Sequence, residues 1–155
     1  MGDRTSVTLF FLASQKEKVD EILEGIDQEP NWEDLANEDG QKLLAYHYDE
    51  VNYGELDFLP LLSDAGIAYE SLWNKGSEFD EGGEYCRFTK DGERVVTTLY
   101  AGDRSISTEL LMNLIDAPGA LVTFIKGRHE RSTVLPWTDQ EKHGPTFRAM
   151  NLISK

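Results

Sequence analysis

Alternating hydrophobic and polar residues at the start of the chain predict a β-strand over residues 4–12. Further along, apolar residues recur three and four positions apart from Val19 to Ile26, which is typical of a helix with one buried face. Ser14 and Glu17 have the Ser-x-x-Glu spacing of a capping box, so we predict that this helix begins at Ser14. The chain therefore opens with a strand followed by a helix.

The following residues predict two more strands, a short helix and a hairpin. Residues 28–40 are predicted to form an acidic connection around Trp32 and Leu35, with at most one helical turn. The later patterns predict, in chain order, a strand over 42–53, a short helix over 55–65 ending at Gly66, a strand over 67–73, and a hairpin of strands 84–90 and 93–100 joined by Asp91 and Gly92.

The last third of the chain has helical patterns. Ser107 is a suitable N-cap for one helix, and Pro118 suits the first turn of the next. Residues 132–155 contain two prolines among mixed residues, and we predict an irregular tail there.

This order of elements predicts an α+β fold with a mixed or antiparallel sheet of about five strands and helices on one face. The first part fits a ferredoxin-like βαββαβ unit, or a variant with an added hairpin. At 155 residues we expect a single domain over residues 1–155. Residues 1–101 would form the sheet part with an acidic surface, and residues 102–155 the C-terminal helices and tail.

Charge is distributed unevenly over this expected fold. The chain has a net charge of -14 from 29 acidic and 15 basic residues. Residues 17–39 hold ten acids and one base, and residues 49–93 hold twelve acids and three bases, so each segment carries -9. Residues 94–155 hold six acids and eight bases, and we expect their helices to serve as scaffold. A negative electrostatic field confined to one region favours binding of a basic partner and disfavours direct binding to nucleic-acid phosphates.

Known catalytic and metal-binding patterns are missing from the sequence. The three histidines lack zinc-ligand spacing, both acidic loops fail the calcium-loop pattern, and no glycine-rich phosphate loop is present. The single cysteine, Cys86, lies within a predicted strand and is expected to be a small buried hydrophobe. We therefore predict no catalytic residue, no metal and no cofactor. The apolar run near the N-terminus is too short for a signal peptide or a membrane helix, which favours a cytoplasmic protein.

The first functional hypothesis is a non-enzymatic protein that binds a basic protein partner through its carboxylates, and a nucleic-acid-binding protein is one such partner. In its extreme form the chain is an inhibitor that mimics nucleic acid. In composition alone it resembles the small acidic phage and plasmid proteins that block restriction or CRISPR systems, which implies an anti-restriction or anti-CRISPR role. The predicted partner-binding residues are Asp27, Glu33, Asp34, Glu38, Asp39, Asp49, Glu50, Glu55, Asp57, Glu78, Asp80 and Glu81.

The alternative hypothesis is a small ferredoxin-like ligand-binding domain or enzyme with a pocket over one sheet face. A pocket of this kind needs aromatic and polar side chains along the strands. The candidate lining residues are Tyr46, His47, Tyr48, Trp73 and Arg87.

Overall fold

The computed structural model describes residues 2–153 and contains one antiparallel sheet of six strands. The sheet has the strand order β2-β3-β1-β4-β5-β6, and each neighbouring pair is antiparallel. The strands are β1 (Arg4–Leu12), β2 (Trp32–Glu38), β3 (Gln41–Asn52), β4 (Tyr69–Trp73), β5 (Gly82–Phe88) and β6 (Arg94–Tyr100).

The helices follow β1, β3 and β6. Two of them lie within the sheet part of the chain, and three follow the last strand. They are α1 (Lys16–Leu23), α2 (Leu59–Asp64), α3 (Thr108–Leu114), α4 (Pro118–Ser132) and α5 (Gln140–Ile153), with short 3-10 turns at Ala13–Gln15 and Ala101–Arg104.

The first four strands have the ferredoxin-like arrangement. Strands β1 and β2 both flank β3 and are connected through α1, while β3 and β4 both flank β1 and are connected through α2. These are two interleaved split βαβ units. Strands β5 and β6 extend the sheet beyond β4 as an added hairpin. The predicted α+β class, with a ferredoxin-like core and an added hairpin, is confirmed.

The structure corrects three predictions in the segments around β2, α5 and α1. Residues predicted as an acidic connection form β2, which raises the number of strands from about five to six. The tail predicted to be irregular contains α5, which accommodates Pro145 inside the helix. Ser14 makes no capping box, because residues 13–15 form a 3-10 turn and α1 begins after it without a side-chain cap.

Most of the hydrophobic core lies between the sheet and the helices α1, α2 and α5, on what we call the helix face of the sheet. On β1, the alternate residues Val7, Leu9 and Phe11 are buried there, as their spacing predicted. Helices α1, α2 and α5 contribute Val19, Leu62 and Phe147 to the same cluster. The opposite side, which we call the open face, carries the other set of alternating residues. Helices α3 and α4 bury no side chain, so among the C-terminal helices only α5 is part of the core scaffold.

Candidate functional site

All twelve predicted partner-binding carboxylates are exposed, but they occupy several places on the fold. Antiparallel pairing brings Glu38 opposite Gln41, whereas Asp49 lies eight residues further along β3, roughly 27 Å away at about 3.4 Å per residue. The carboxylates therefore do not form one cluster. They lie after α1 (Asp27), on β2 and its turn (Glu33, Asp34, Glu38, Asp39), at the far end of β3 (Asp49, Glu50), before α2 (Glu55, Asp57) and between β4 and β5 (Glu78, Asp80, Glu81).

Few of these carboxylates have a cation nearby. Among the described residues, three of the twelve have a basic side chain within 4 Å, and none of those distances is shorter than 3.8 Å. Exposed pairs at this distance neutralise little charge. The pairs are Arg4 with Glu50, Lys16 with Glu33, and His47 with Asp34.

Two of the predicted residues have an evident structural role. The backbone N–H of Trp137 donates to Asp39 at 3.0 Å, and its indole Nε1–H donates to Glu38 at 3.1 Å. Trp137 is completely buried. Glu38 and Asp39 therefore fasten the segment before α5 to the end of the sheet, and they are less available to a partner than Glu33 and Asp34.

Strand β2 is an edge strand with an open side. Asp39 and Gly40 both have positive φ, 52° and 72°, which makes a type I′ turn between β2 and β3. This turn pairs Glu38 with Gln41, and the alternation of an antiparallel ladder then directs the N–H and C=O groups of Glu33, Leu35 and Asn37 away from β3. Among the described strands, none pairs with that side of β2.

Large apolar side chains are exposed on this edge strand beside its carboxylates. Trp32 is 55% exposed and Leu35 is 58% exposed. The Trp32 ring stacks on His47 on the open face, with ring centroids 3.5 Å apart. Trp32 and Asp34 are on the open face, and Glu33 and Leu35 are on the helix face. Both sides of β2 therefore offer an apolar group next to a carboxylate.

An acidic cavity adjoins β2 on the helix face. Its volume is about 660 Å³, and it lies between α1, the segment after α1 and Glu33. Lys16 in its lining already donates to Asp20 at 2.7 Å and to the hydroxyl of Tyr46 at 3.1 Å. The carboxylates that line the cavity are Asp20, Glu21, Glu24, Glu29 and Glu33.

A second cavity lies over the helix face at the other end of the sheet, and we call it the sheet-face cavity. Its volume is about 860 Å³, within the range of small-molecule sites. Strands β4, β5 and β6 form its floor, and α2 with the loops before α2 and after β4 forms its walls. Aromatic groups from Tyr53, Trp73, Phe79 and Tyr100 line it together with the carboxylates of Glu55, Asp57, Asp64 and Glu84.

Close backbone packing fixes the position of Trp73 in this cavity. A side chain at Gly54 would lie 2.8 Å from the Trp73 Cβ, and one at Gly82 would lie 2.7 Å from the indole ring. The Trp73 indole N–H donates to the backbone oxygen of Asp80 at 3.0 Å, and the ring meets Tyr100 edge-on at 6.0 Å. Two glycines and one hydrogen bond therefore hold the indole against the cavity.

Polar contacts inside the sheet-face cavity leave one group unpaired. The Tyr69 hydroxyl donates to Glu84 at 2.8 Å, and Arg94 donates to Asp64 at 2.6 Å. Ser71 is only 1% exposed, and its hydroxyl has no hydrogen-bond partner. An unpaired buried hydroxyl costs free energy, so this position is suited to a ligand group that forms a hydrogen bond with it.

The pocket predicted from sequence agrees with this cavity only at Trp73. Tyr46 instead donates to Asp20 at 2.5 Å, and burial of its ring raises the pKa of Tyr46 to about 12. Tyr48 is buried in the core, and His47 is on the open face. Sequence reasoning missed Ser71 and Glu84, although both alternate with Trp73 and Cys86 on strands that had been predicted.

Arg87, the fifth predicted pocket residue, is buried on the open face beside Glu70. Its guanidinium pairs with Glu70, donates to the carbonyl of Leu135 at 2.8 Å, and lies 3.8 Å from the ring centre of Trp137. It also donates to the carbonyls of Tyr69 and Cys86. All of these contacts are internal, so Arg87 ties the segment before α5 to the sheet.

Cys86 is completely buried on the helix face. Burial raises the pKa of its thiol to about 12, so the reactive thiolate is disfavoured at neutral pH. Within residues 2–153 no group of three or more His, Cys, Asp or Glu side chains has the arrangement of a metal site. Among the same residues, no helix combines the length and apolar character that crossing a bilayer requires.

No family model, no curated protein and no solved structure matches this chain. Two surfaces of the chain have a defined chemistry, the β2 edge and the sheet-face cavity.

Proposed function

We propose that the chain is a non-enzymatic protein that binds a basic partner, and that the partner docks along the β2 edge. The observation that carries the proposal is the open edge of β2, flanked by Glu33 and Asp34 and bordered by the acidic cavity beside α1. An extended segment that adds to a sheet edge gains backbone hydrogen bonds, and its alternating side chains supply specificity.

The negative charge of the β2 edge favours a partner segment with cationic residues. A partner strand with cationic residues at successive positions would place one beside Glu33 on the helix face and the next beside Asp34 on the open face. The exposed side chains of Trp32 and Leu35 add apolar contacts of the kind that dominate binding energies. A second copy of this chain is a poor occupant, because pairing two β2 edges would bring carboxylates against carboxylates.

The partner class that suits this surface is a nucleic-acid-binding protein, whose cationic groove is complementary to exposed carboxylates. In this form the chain acts as an inhibitor that competes with DNA or RNA, as expected of an anti-restriction or anti-CRISPR protein. The carboxylates beyond β2 would then add a long-range field that increases the association rate and weakens with salt.

The first experiment tests edge pairing with defined peptides. An eight-residue peptide in which pairs of adjacent lysines alternate with pairs of valines is titrated into the protein, and backbone amide shifts are followed by NMR. We expect shifts concentrated on β2. The same peptide with methyl groups on alternate backbone nitrogens keeps its charge but cannot pair with a strand, so it should bind far more weakly.

Matched variants then test the charge. Neutralising Glu33→Gln and Asp34→Asn removes two charges from the edge, each worth about 0.2–1 kcal/mol for an exposed pair, so peptide affinity should fall about two- to thirtyfold. The control is Glu109→Gln and Asp116→Asn in the α3–α4 region, which removes the same charge elsewhere. Equal losses in both double variants, or equal binding of the methylated peptide, would contradict docking at β2.

The inhibitor form is tested with a partner captured from the native host. Capture should be strong at low salt and weak at high salt, and added DNA or RNA should displace the chain. The proposal fails in this form if the Glu33→Gln and Asp34→Asn variant captures the same protein equally well and nucleic acid does not compete.

A further inference from the structure

The geometry points to a second binding site: the sheet-face cavity takes an organic cation that carries N–H donors, an ammonium or guanidinium group. This site is separate from the β2 edge and does not depend on the function proposed for it. The sheet-face cavity lies over β4, β5 and β6, whereas β2 lies at the opposite edge of the sheet.

Charge in the sheet-face cavity favours a cation. Four carboxylates line it, against one basic side chain, Arg94. The guanidinium of Arg94 is already engaged at one end of the cavity, where it donates to Asp64 at 2.6 Å and to the Ser63 hydroxyl at 3.2 Å. Glu84, on the floor, accepts from the neutral hydroxyl of Tyr69 and has no basic partner within the described residues. A positive ligand would supply that missing charge.

The aromatic walls favour an organic cation over a hydrated metal ion. Trp73 and Tyr100 form one edge-on pair at 6.0 Å, and Tyr53 and Phe79 form a second pair at 6.4 Å. Aromatic rings attract ammonium and guanidinium groups through their electron-rich faces. These rings also form an apolar surface for the carbon chain attached to the cation.

Ser71 and Glu84 together favour a ligand that donates hydrogen bonds, because the carboxylate of Glu84 can only accept them. The Ser71 hydroxyl is on the floor of the sheet-face cavity, is nearly inaccessible and has no partner. Ser71 is directly opposite Glu84 in the pairing of β4 with β5, so the hydroxyl and the carboxylate lie side by side. An N–H group of a ligand could donate to Glu84 and, once the Ser71 side chain rotates toward the cavity, to its hydroxyl as well. A quaternary ammonium lacks such hydrogens and fits this floor less well.

Calorimetry with a charged and a neutral probe tests the assignment. The probes are N-acetyl-arginine amide and N-acetyl-citrulline amide, which have nearly the same shape but differ in charge. We expect the arginine compound to bind and the citrulline compound to bind at least about tenfold more weakly. Spermidine and the peptide Gly-Gly-Arg-Gly-Gly are then used as competitors. Stronger competition by spermidine assigns the site to a free polyamine, and stronger competition by the peptide assigns it to a side chain of another protein.

Three variants locate the binding. Ser71→Ala removes the unpaired hydroxyl, and Glu84→Gln removes the charge while keeping an acceptor for Tyr69. Each should weaken binding of the arginine compound about five- to tenfold without lowering the thermal midpoint. The control is Glu33→Gln on β2, which removes the same charge outside the cavity and should leave this binding unchanged.

Three results would overturn the assignment: no binding of arginine compound or spermidine at millimolar concentration, equal binding of the citrulline compound, or full binding by both cavity variants. The two sites also fail separately. If the β2 variant loses peptide docking but still binds the arginine compound, that result concerns only the proposed function. The variants at Ser71 and Glu84 test only the sheet-face cavity.

Discussion

Removing Arg87 should strongly destabilise the fold, because its partner Glu70 would remain buried without a cation. The substitution Arg87→Met keeps much of the aliphatic volume and removes the guanidinium. In the folded protein that group pairs with Glu70, donates to three backbone carbonyls and stacks on Trp137. Arg87 is 2% exposed and Glu70 is 8% exposed, so water cannot replace these contacts.

The expected cost of Arg87→Met is about 3–5 kcal/mol, the range for breaking a buried ion pair by removal of one partner. That is a large part of the 5–15 kcal/mol typical of a whole domain. The double variant Arg87→Met with Glu70→Gln leaves no buried charge, and we expect it to be about 2 kcal/mol more stable than the single variant. The carbonyls that lose Arg87 remain unpaired in both variants, so the wild-type stability is not restored.

The loss of stability caused by Arg87→Met should also depend on pH. Burial raises the pKa of Glu70, and the nearby Arg87 lowers it again in part. A carboxyl whose folded pKa is raised binds a proton more readily in the folded state, so stability falls as pH rises from the unfolded pKa toward the folded one. Without Arg87 nothing offsets the effect of burial, so the pH interval between the unfolded and the folded pKa of Glu70 widens. The free-energy cost of Arg87→Met should therefore be larger at pH 8 than at pH 5, and the double variant should lose this dependence.

Urea unfolding at pH 5 and pH 8, followed by circular dichroism and by tryptophan fluorescence, measures these differences. The wild type, the single variant and the double variant are compared at the same salt concentration. A cost below about 1 kcal/mol at pH 8 would refute the reasoning, since that is the value of an exposed pair. A cost that is equal at both pH values would show that Glu70 does not carry the buried charge.

Three further predictions concern single positions. Ser71→Ala should leave the free energy of unfolding unchanged or raise it by about 1 kcal/mol, because the lost hydroxyl has no partner. Chemical denaturation measures this free energy, and a clear decrease would mean that the Ser71 hydroxyl is hydrogen-bonded. Gly40→Ala should lower the free energy of unfolding by about 1 kcal/mol, because φ is 72° at this position. No atom lies within 4 Å of the new Cβ, so the cost comes from the backbone alone, and equal stability in chemical denaturation would contradict the type I′ turn. Cys86 should react with a disulfide reagent only after unfolding, since it is buried and its pKa is raised to about 12; rapid reaction of the native protein at pH 8 would disprove this.

Local periodicity predicted most of the sheet. Strands β1, β3, β4 and the hairpin β5–β6 were found because a half-buried strand alternates apolar and polar residues. The Ser107 cap and the Pro118 start were also confirmed, with Ser107 accepting from the backbone of Leu110 at 3.2 Å. The hairpin turn is longer than the two residues expected, since the N–H of Thr89 donates to the carbonyl of Glu93.

Strand β2 was missed because its apolar residues do not alternate in the expected way. It lies at the edge of the sheet, and all but one of its residues are exposed, so burial leaves little pattern in its sequence. A usable signal was present nonetheless. Asp39-Gly40 between two possible strands is the same hairpin signal that correctly placed β5 and β6. Helix α5 was missed because Pro145 within it is read locally as a helix breaker.

The acidic character of the chain and its α+β class were determined by sequence alone, because charge and periodicity are local properties. Only the tertiary structure decided which carboxylates lie together. Pairing of the strands places Glu38 far from Asp49 and leaves Glu33 and Asp34 on an open edge. Glu38 and Asp39 instead accept hydrogen bonds from Trp137. The cavity that contains Ser71 likewise depends on strands and loops far apart in sequence, and no local pattern specifies which side chains those contacts bring together.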